Sequence, residues 1–186
     1  DGGYNKVTYV QTLKGSGDTY GGLFSKLNAA AVQNLYIEAN ISRDDKSGAT
    51  TCAGALAGEA NGGVDISRVS VSGRIIVESF DGFDYVGGLV GRFFGGEIVE
   101  CCNFAQVSNN AQHARAGGIA AYVSPKDTAI SISNCYNKGN VIASSAWTLA
   151  FGGRAAAMLA QVRGHNAFNL LIENCYNDSN VELEWL

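Results

Sequence analysis

Residues 85–107 read YVGGLVGRFFGGEIVECCNFAQV, and the order of features in that stretch decides the fold. A glycine pair, Gly87-Gly88, opens an apolar alternation, Leu89-Val90-Gly91-Arg92-Phe93. A short Gly-rich turn follows, then a second strand-like run with Cys101 and, six residues on, Val107. Period-two alternation built from β-branched and aromatic residues reads as β-strand. Helices of comparable length would be broken by the glycine pairs.

Variants of this block recur along the chain. YGGLFSKL begins at Tyr20, CAGALAGEANGG at Cys52, AGGIAAYV at Ala116 and FGGRAAAML at Phe151, each followed by a second run ending on Ile or Val. Taking Gly22, Gly54, Gly88, Gly118 and Gly153 as equivalent, the spacings are 32, 34, 30 and 35 residues. A period in this range marks a stacked array, in which one unit cannot bury its own inner face. Short strands within each unit specify an all-β chain: a parallel β-solenoid of about five coils, right-handed by the default of parallel crossovers. The expected units are 20–51, 52–84, 85–115, 116–150 and 151–181. Residues 1–19 form an N-terminal cap strand through Val7, Tyr9 and Leu13, and 182–186 a C-terminal strand end. Arg154 to Arg163, RAAAMLAQVR, has helical propensity, yet it fills the strand slot after a glycine pair and is read as strand.

Composition agrees. Apolar residues are 46% and charged residues 16%, which sets the chain apart from disordered and highly charged classes. Twenty-four glycines against one proline suit many tight turns between short strands. The net charge of −4 and the absence of a Lys/Arg run argue against nucleic acid as a partner. No run of about 18 apolar residues suggests a membrane span. The opening DGGYNKVTYV lacks a basic, then apolar, leader, as a processed secretory protein or a fragment of a longer one would.

Aligned on the terminal Ile or Val, the repeats place Leu35, Val69, Cys101, Cys135 and Cys175 in one column. Ile41, Ile75, Val107, Val141 and Val181 stand six positions later. A column that accepts Leu, Val and Cys wants a modest apolar side chain, so these thiols read as buried and free. Paired metal-ligand spacing such as C-x₂-C is absent, and the odd count of five cysteines opposes a complete disulfide framework. Cys102 should face the other way, exposed and reactive. Cys52 is aligned with Tyr20, Val86, Ala116 and Phe151, an apolar slot. Asn103, Asn137 and Asn177 form a second column, with Ile37 and Val71 in the first coils; stacked Asn can hydrogen-bond along the axis and tolerate left-handed backbone.

At GGLVG (87–91) and I-x-N-C-Y-N-x-G-x-V (132–141) the chain resembles the GLUG-motif repeats of bacterial surface and adhesin-like proteins. GGLFSKL…VQNLYIEANI resembles the same unit, and the resemblance covers roughly residues 20–181. It implies a secreted or cell-surface location, a solenoid architecture and no catalytic residues to carry over. Two departures stand out: CAGALAG lacks the first glycine of the pair, and FGGRAAAML has Arg154 where the family has Leu.

A search for chemistry finds little. The strand acids Glu38, Asp65, Glu97, Glu100 and Glu173 are read in different registers, against the facing carboxylate pair that glycoside cleavage needs. No Ser-His-Asp order or phosphate-cradling glycine motif is visible. The chain is therefore read as non-enzymatic, with no cofactor and no metal. Its best candidate for ligand contact is a loop edge carrying Phe80, Phe83, His113 and Trp147, where aromatics would stack on sugar rings or anchor a partner. The expected function is a secreted or cell-surface module for adhesion or spacing, meeting a glycan or a host or surface protein, monomeric or associated end to end. A carbohydrate-binding or carbohydrate-cleaving β-helix and a phage or viral fibre-like solenoid are the alternatives.

Overall fold

The computed structural model describes residues 5–44, 48–79, 82–126, 128–145, 153–163 and 169–185. Among them every regular element is a strand, and every strand pairing is parallel. The chain is a β-solenoid with three faces. The long face carries Ala31–Arg43 and Val64–Glu78 in the lower coils. In the upper coils the same face is cut into shorter pieces, such as Gly96–Val99, Cys102–Asn103 and Gln106–Asn110. The second face is a five-stranded sheet of Thr19–Gly21, Thr51–Ala53, Phe83–Gly87, His113–Gly117 and Arg154–Ala156. The third, also five-stranded, contains Phe24–Asn28, Ala57–Asn61, Val90–Phe93, Ala120–Val123 and Leu159–Val162. Asn5–Thr12 adds a first rung beneath Ala31–Arg43, with Val7 beside Ile37 and Tyr9 beside Ala39. The buried Leu13 follows directly.

Inward columns make the core. Ile41, Ile75, Val107, Val141 and Val181 stack in register, as expected from their spacing. A parallel column runs Val32, Ile66, Ile98, Ile132 and Ile172. Each fully buried aliphatic side chain contributes about 1.5–3 kcal/mol, so the columns are the main source of stability. At the last level they meet solvent: Ile172 is 45% and Val181 40% exposed, whereas Ile132 and Val141 below them are buried.

The register across the glycine turn departs from the sequence alignment. In the fifth coil Arg154 pairs with Arg115 and Ala156 with Gly117, so Ala156-Ala157-Met158 occupies the slot of Gly117-Gly118-Ile119. Gly153 is not the equivalent of Gly118, and Met158, not Arg154, takes the apolar position. In the second coil the amides of Ala55 and Leu56 donate to Gly88 and Leu89. Against the third coil it thus lacks the second glycine of the pair, whereas against the first coil, where Gly21 pairs with Ala53, it lacks the first, as expected. Linear alignment failed here because the loop before the fifth coil's turn is longer, and stacking, not glycine count, sets which residue sits over which. RAAAMLAQVR is strand as expected, divided by a turn at Ala157-Met158.

The left-handed corners also lie elsewhere than expected. Asn34, Arg68, Glu100, Asn134 and Asn174, each just before the Leu/Val/Cys column, have φ between 50° and 56°. The buried Asn103 and Asn137 and the exposed Asn177 are not among them. Asn tolerates this conformation, whereas Glu meets a cost of roughly 1–2 kcal/mol from its Cβ. Glu100→Asn should therefore raise the denaturant midpoint, by about 0.5–1 kcal/mol of stability. An unchanged or lower midpoint would show that the corner is not strained.

Candidate functional site

Of the four residues expected on a ligand-binding edge, Phe80 and Trp147 lie outside the described residues. Phe83 and His113 are brought together, at the starts of adjacent strands rather than in loops. Their rings stack with centroids 4.2 Å apart, and the Arg115 guanidinium lies 5.3 Å from the centre of the Phe83 ring. Phe83 is 43% exposed while His113 is only 8% exposed. Strand alternation turns both outward.

The expected separation of the strand acids is corrected at one place. Asp65 and Glu97 share a register on neighbouring coils, both exposed on the long face. Glu97 continues to Ser131, so the carboxylate row ends there.

The cysteine column is buried as read at Cys101 and Cys135, whereas Cys175, on the last coil, is only partly buried. All five thiols are free. The Cys101 thiol donates to the carbonyls of Val99 (3.2 Å) and Ile66 (3.7 Å), and Cys135 does the same toward Ser133 (3.2 Å) and Ile98 (3.5 Å). Cys102 faces outward but is half-buried, and burial pushes its thiol up, so it is less nucleophilic than the reactive thiol expected. Burial also pushes the Cys52 thiol up to about 12, partly offset by Arg92. Under native, mildly alkaline conditions a disulfide reagent should leave Cys52, Cys101 and Cys135 unlabelled until denaturant is added. Rapid reaction of more than two thiols would overturn this.

The asparagine column forms a continuous hydrogen-bonded ladder. Asn103 Nδ2 donates to Asn137 Oδ1 at 2.7 Å, and Asn137 Nδ2 donates to Asn177 Oδ1 at 2.8 Å. Asn103 and Asn137 are wholly buried, so their amides hold the coils in register and offer nothing to a ligand.

The polar feature that sequence reading missed lies where the second and third faces meet. Cys52 stacks with Tyr20 and Tyr85, not Val86, which corrects the earlier alignment by one residue. The outward row of the second face is then Tyr20, Cys52, Tyr85, Arg115 and Arg154. The outward row of the third face is Lys26, Glu59, Arg92, Tyr122 and Gln161. The two rows interdigitate. Lys26 Nζ sits 4.1 Å from the centre of the Tyr20 ring, and Tyr85 meets Tyr122 edge to face at 5.2 Å. Arg92 lies over Tyr85, Phe94 and Tyr122 at 5.5, 4.9 and 5.9 Å, and its Nη1 is 3.4 Å from Glu59 Oε2. Arg115 Nε donates to Gln161 Oε1, and its Nη1 donates to the His113 carbonyl at 2.9 Å. Gly58 and Gly91 let the faces approach: a Cβ on either would come within 2.6 Å of a backbone oxygen of Cys52 or Gly58.

Beside this seam Glu59, Asn61, Arg92, Tyr122 and Lys126 help line a depression of about 310 Å³. Lys26 and Arg92 both pair with Glu59, and Lys126, Arg115 and Arg154 add further cations along the seam, although the whole chain is acidic. Arg92 Nε is buried with no hydrogen-bond partner. The sequence did carry a trace of the seam. Cys52/Glu59, Tyr85/Arg92, Arg115/Tyr122 and Arg154/Gln161 are each separated by seven residues, a spacing that bridges the glycine turn.

No group of three or more His, Cys, Asp or Glu side chains able to hold a metal occurs among the described residues. Nor is any helix among them long and apolar enough to cross a membrane. Comparison of the chain with protein-family models, with curated proteins and with solved structures finds no match.

Proposed function

We propose that this chain is a non-catalytic module of the bacterial cell surface or secreted space, acting in adhesion or as a structural spacer. The observation that supports the reading most is the set of uninterrupted inward columns, which make a stiff rod growing about 4.8 Å per coil. The chain's stability is spent on shape, and its repeats resemble GLUG-motif units of surface proteins. Labelling of intact source cells with an antibody to the purified chain tests the placement: signal before lysis is expected, and signal only after lysis overturns it. Incubation with acidic polysaccharides tests the absence of catalysis, and the appearance of new reducing ends or unsaturated products would defeat it.

The second reading, carbohydrate binding, is favoured by the aromatic and cationic seam between the second and third faces. Within the first reading it supplies the surface that adheres.

A further inference from the structure

We propose that the seam between the second and third faces binds an anionic linear glycan, one bearing carboxylates or sulfates, laid along the axis of the stack.

Among the described residues the two upper arginines of the seam have no carboxylate counterion. Arg115 and Arg154 are in register on adjacent strands, which places two guanidinium-bearing residues one rung, about 4.8 Å, apart at the backbone. Arg115 is buried, and burial, with the Arg154 charge beside it, lowers its guanidinium pKa. Two like charges on neighbouring rungs, one of them desolvated, repel unless an anion lies between them. Further down the seam Arg92 shares Glu59 with Lys26, so one carboxylate serves two cations. The buried Arg92 Nε keeps an unused donor beside the depression that Lys126 and Tyr122 also line. Guanidinium groups present paired donors that match carboxylate and sulfate oxygens.

The geometry selects a polymer running along the axis. Cationic side chains stand at four of the five levels, Lys26, Arg92, Arg115 and Arg154, with Glu59 at the second. A rung of about 4.8 Å is close to the length of one hexose in an extended glycan. A negatively charged sugar on each or every second residue would thus meet a cation at the third, fourth and fifth levels. Tyr20, Tyr85 and Tyr122 supply apolar ring surface and hydroxyls between the cations. A peptide bound by strand addition would need a free backbone edge, and between the first and last levels of the seam both edges of every strand are paired with neighbouring coils. The proposal names the ligand of the adhesive surface proposed above, and its binding test is independent of where the chain resides.

The purified chain would be titrated calorimetrically with polygalacturonate, alginate and heparin, and with dextran, polyglutamate, a single-stranded DNA oligonucleotide and sodium sulfate. At least one of the three acidic glycans should bind, weakening as ionic strength rises, while the other ligands bind at least tenfold more weakly. Arg154→Glu should weaken glycan binding at least tenfold, and Lys126→Glu by a smaller factor. Lys138→Glu, on the long face, should leave it unchanged. Thermal unfolding of each variant must match the parent, and Arg154 suits this because it is part-exposed. Failure of all three glycans to bind would overturn the proposal, as would equal binding of polyglutamate, DNA or free sulfate, or insensitivity to Arg154→Glu. Glycan binding without cell-surface labelling would overturn the placement alone; labelling without glycan binding would overturn this site alone.

Discussion

Gly73→Ala should leave no stably folded protein, or cost more than about 4 kcal/mol. Gly73 lies inside the strand Val64–Glu78 with φ of +99°, a conformation that residues bearing a Cβ rarely adopt. A Cβ there would stand 2.1 Å from the Ala39 carbonyl oxygen on the coil below, closer than any packing permits. The obstacle is backbone held in the interstrand ladder, so no rotamer change relieves it. Gly139, two levels higher, faces Ala105 in the same way, with a Cβ position 1.9 Å from its carbonyl oxygen. The column thus alternates alanine and glycine because inward methyls and close backbone approaches alternate along the axis. Soluble yield and circular dichroism check the result against Arg74→Ala, one residue on and exposed, which should shift stability by no more than about 0.5 kcal/mol. A Gly73→Ala protein with the parent's melting temperature would mean that this backbone conformation is not needed.

Asn137→Val should cost about 3 kcal/mol and lower the melting temperature by roughly 6–12 °C. Asn137 Nδ2 donates to Asn177 Oδ1 (2.8 Å), the Gly139 carbonyl (3.1 Å) and Ser179 Oγ (2.8 Å), and its Oδ1 accepts from Asn103. Removing the amide leaves the Asn103 donor short of one partner and the Gly139 carbonyl without this donor, in a site closed to water. The same column holds Ile37 and Val71 in the lower coils, so the backbone accepts a branched aliphatic side chain there. Hence the triple change Asn103→Val, Asn137→Val and Asn177→Val should cost less than the sum of the three singles, because no side-chain amide of the ladder is then left without its neighbour. Additive costs would show that each amide acts through its own turn, as Asn103 Oδ1 does toward the Ala105 amide, rather than through the ladder.

The long face was the most legible part. Its columns of Val, Cys and Asn recur at fixed distances from the Ile or Val that ends each block, and nothing of variable length intervenes. The Cys101 and Cys135 thiols and the Asn ladder could therefore be placed by counting. The second and third faces were less legible, since loops of different length precede their strands. Aligning on glycine pairs moved Cys52 onto Val86 and Gly153 onto Gly118, and a slip of one residue exchanges the inner and outer sides of a strand. Tyr85, Arg115 and Arg154 were consequently not recognised as one outward row.

By itself the sequence determined that the chain is a parallel β-solenoid, and which side chains fill its long-face columns. These follow from local alternation and from a spacing repeated within each block, properties a linear reading contains. Only the tertiary structure decided the register around the glycine turn, the left-handed corners at Arg68 and Glu100, and the cationic seam. The physical reason is that one coil's backbone hydrogen bonds are completed by the next coil. Which residue lies above which is set by that pairing through space, and loops of unequal length leave no fixed trace of it along the chain.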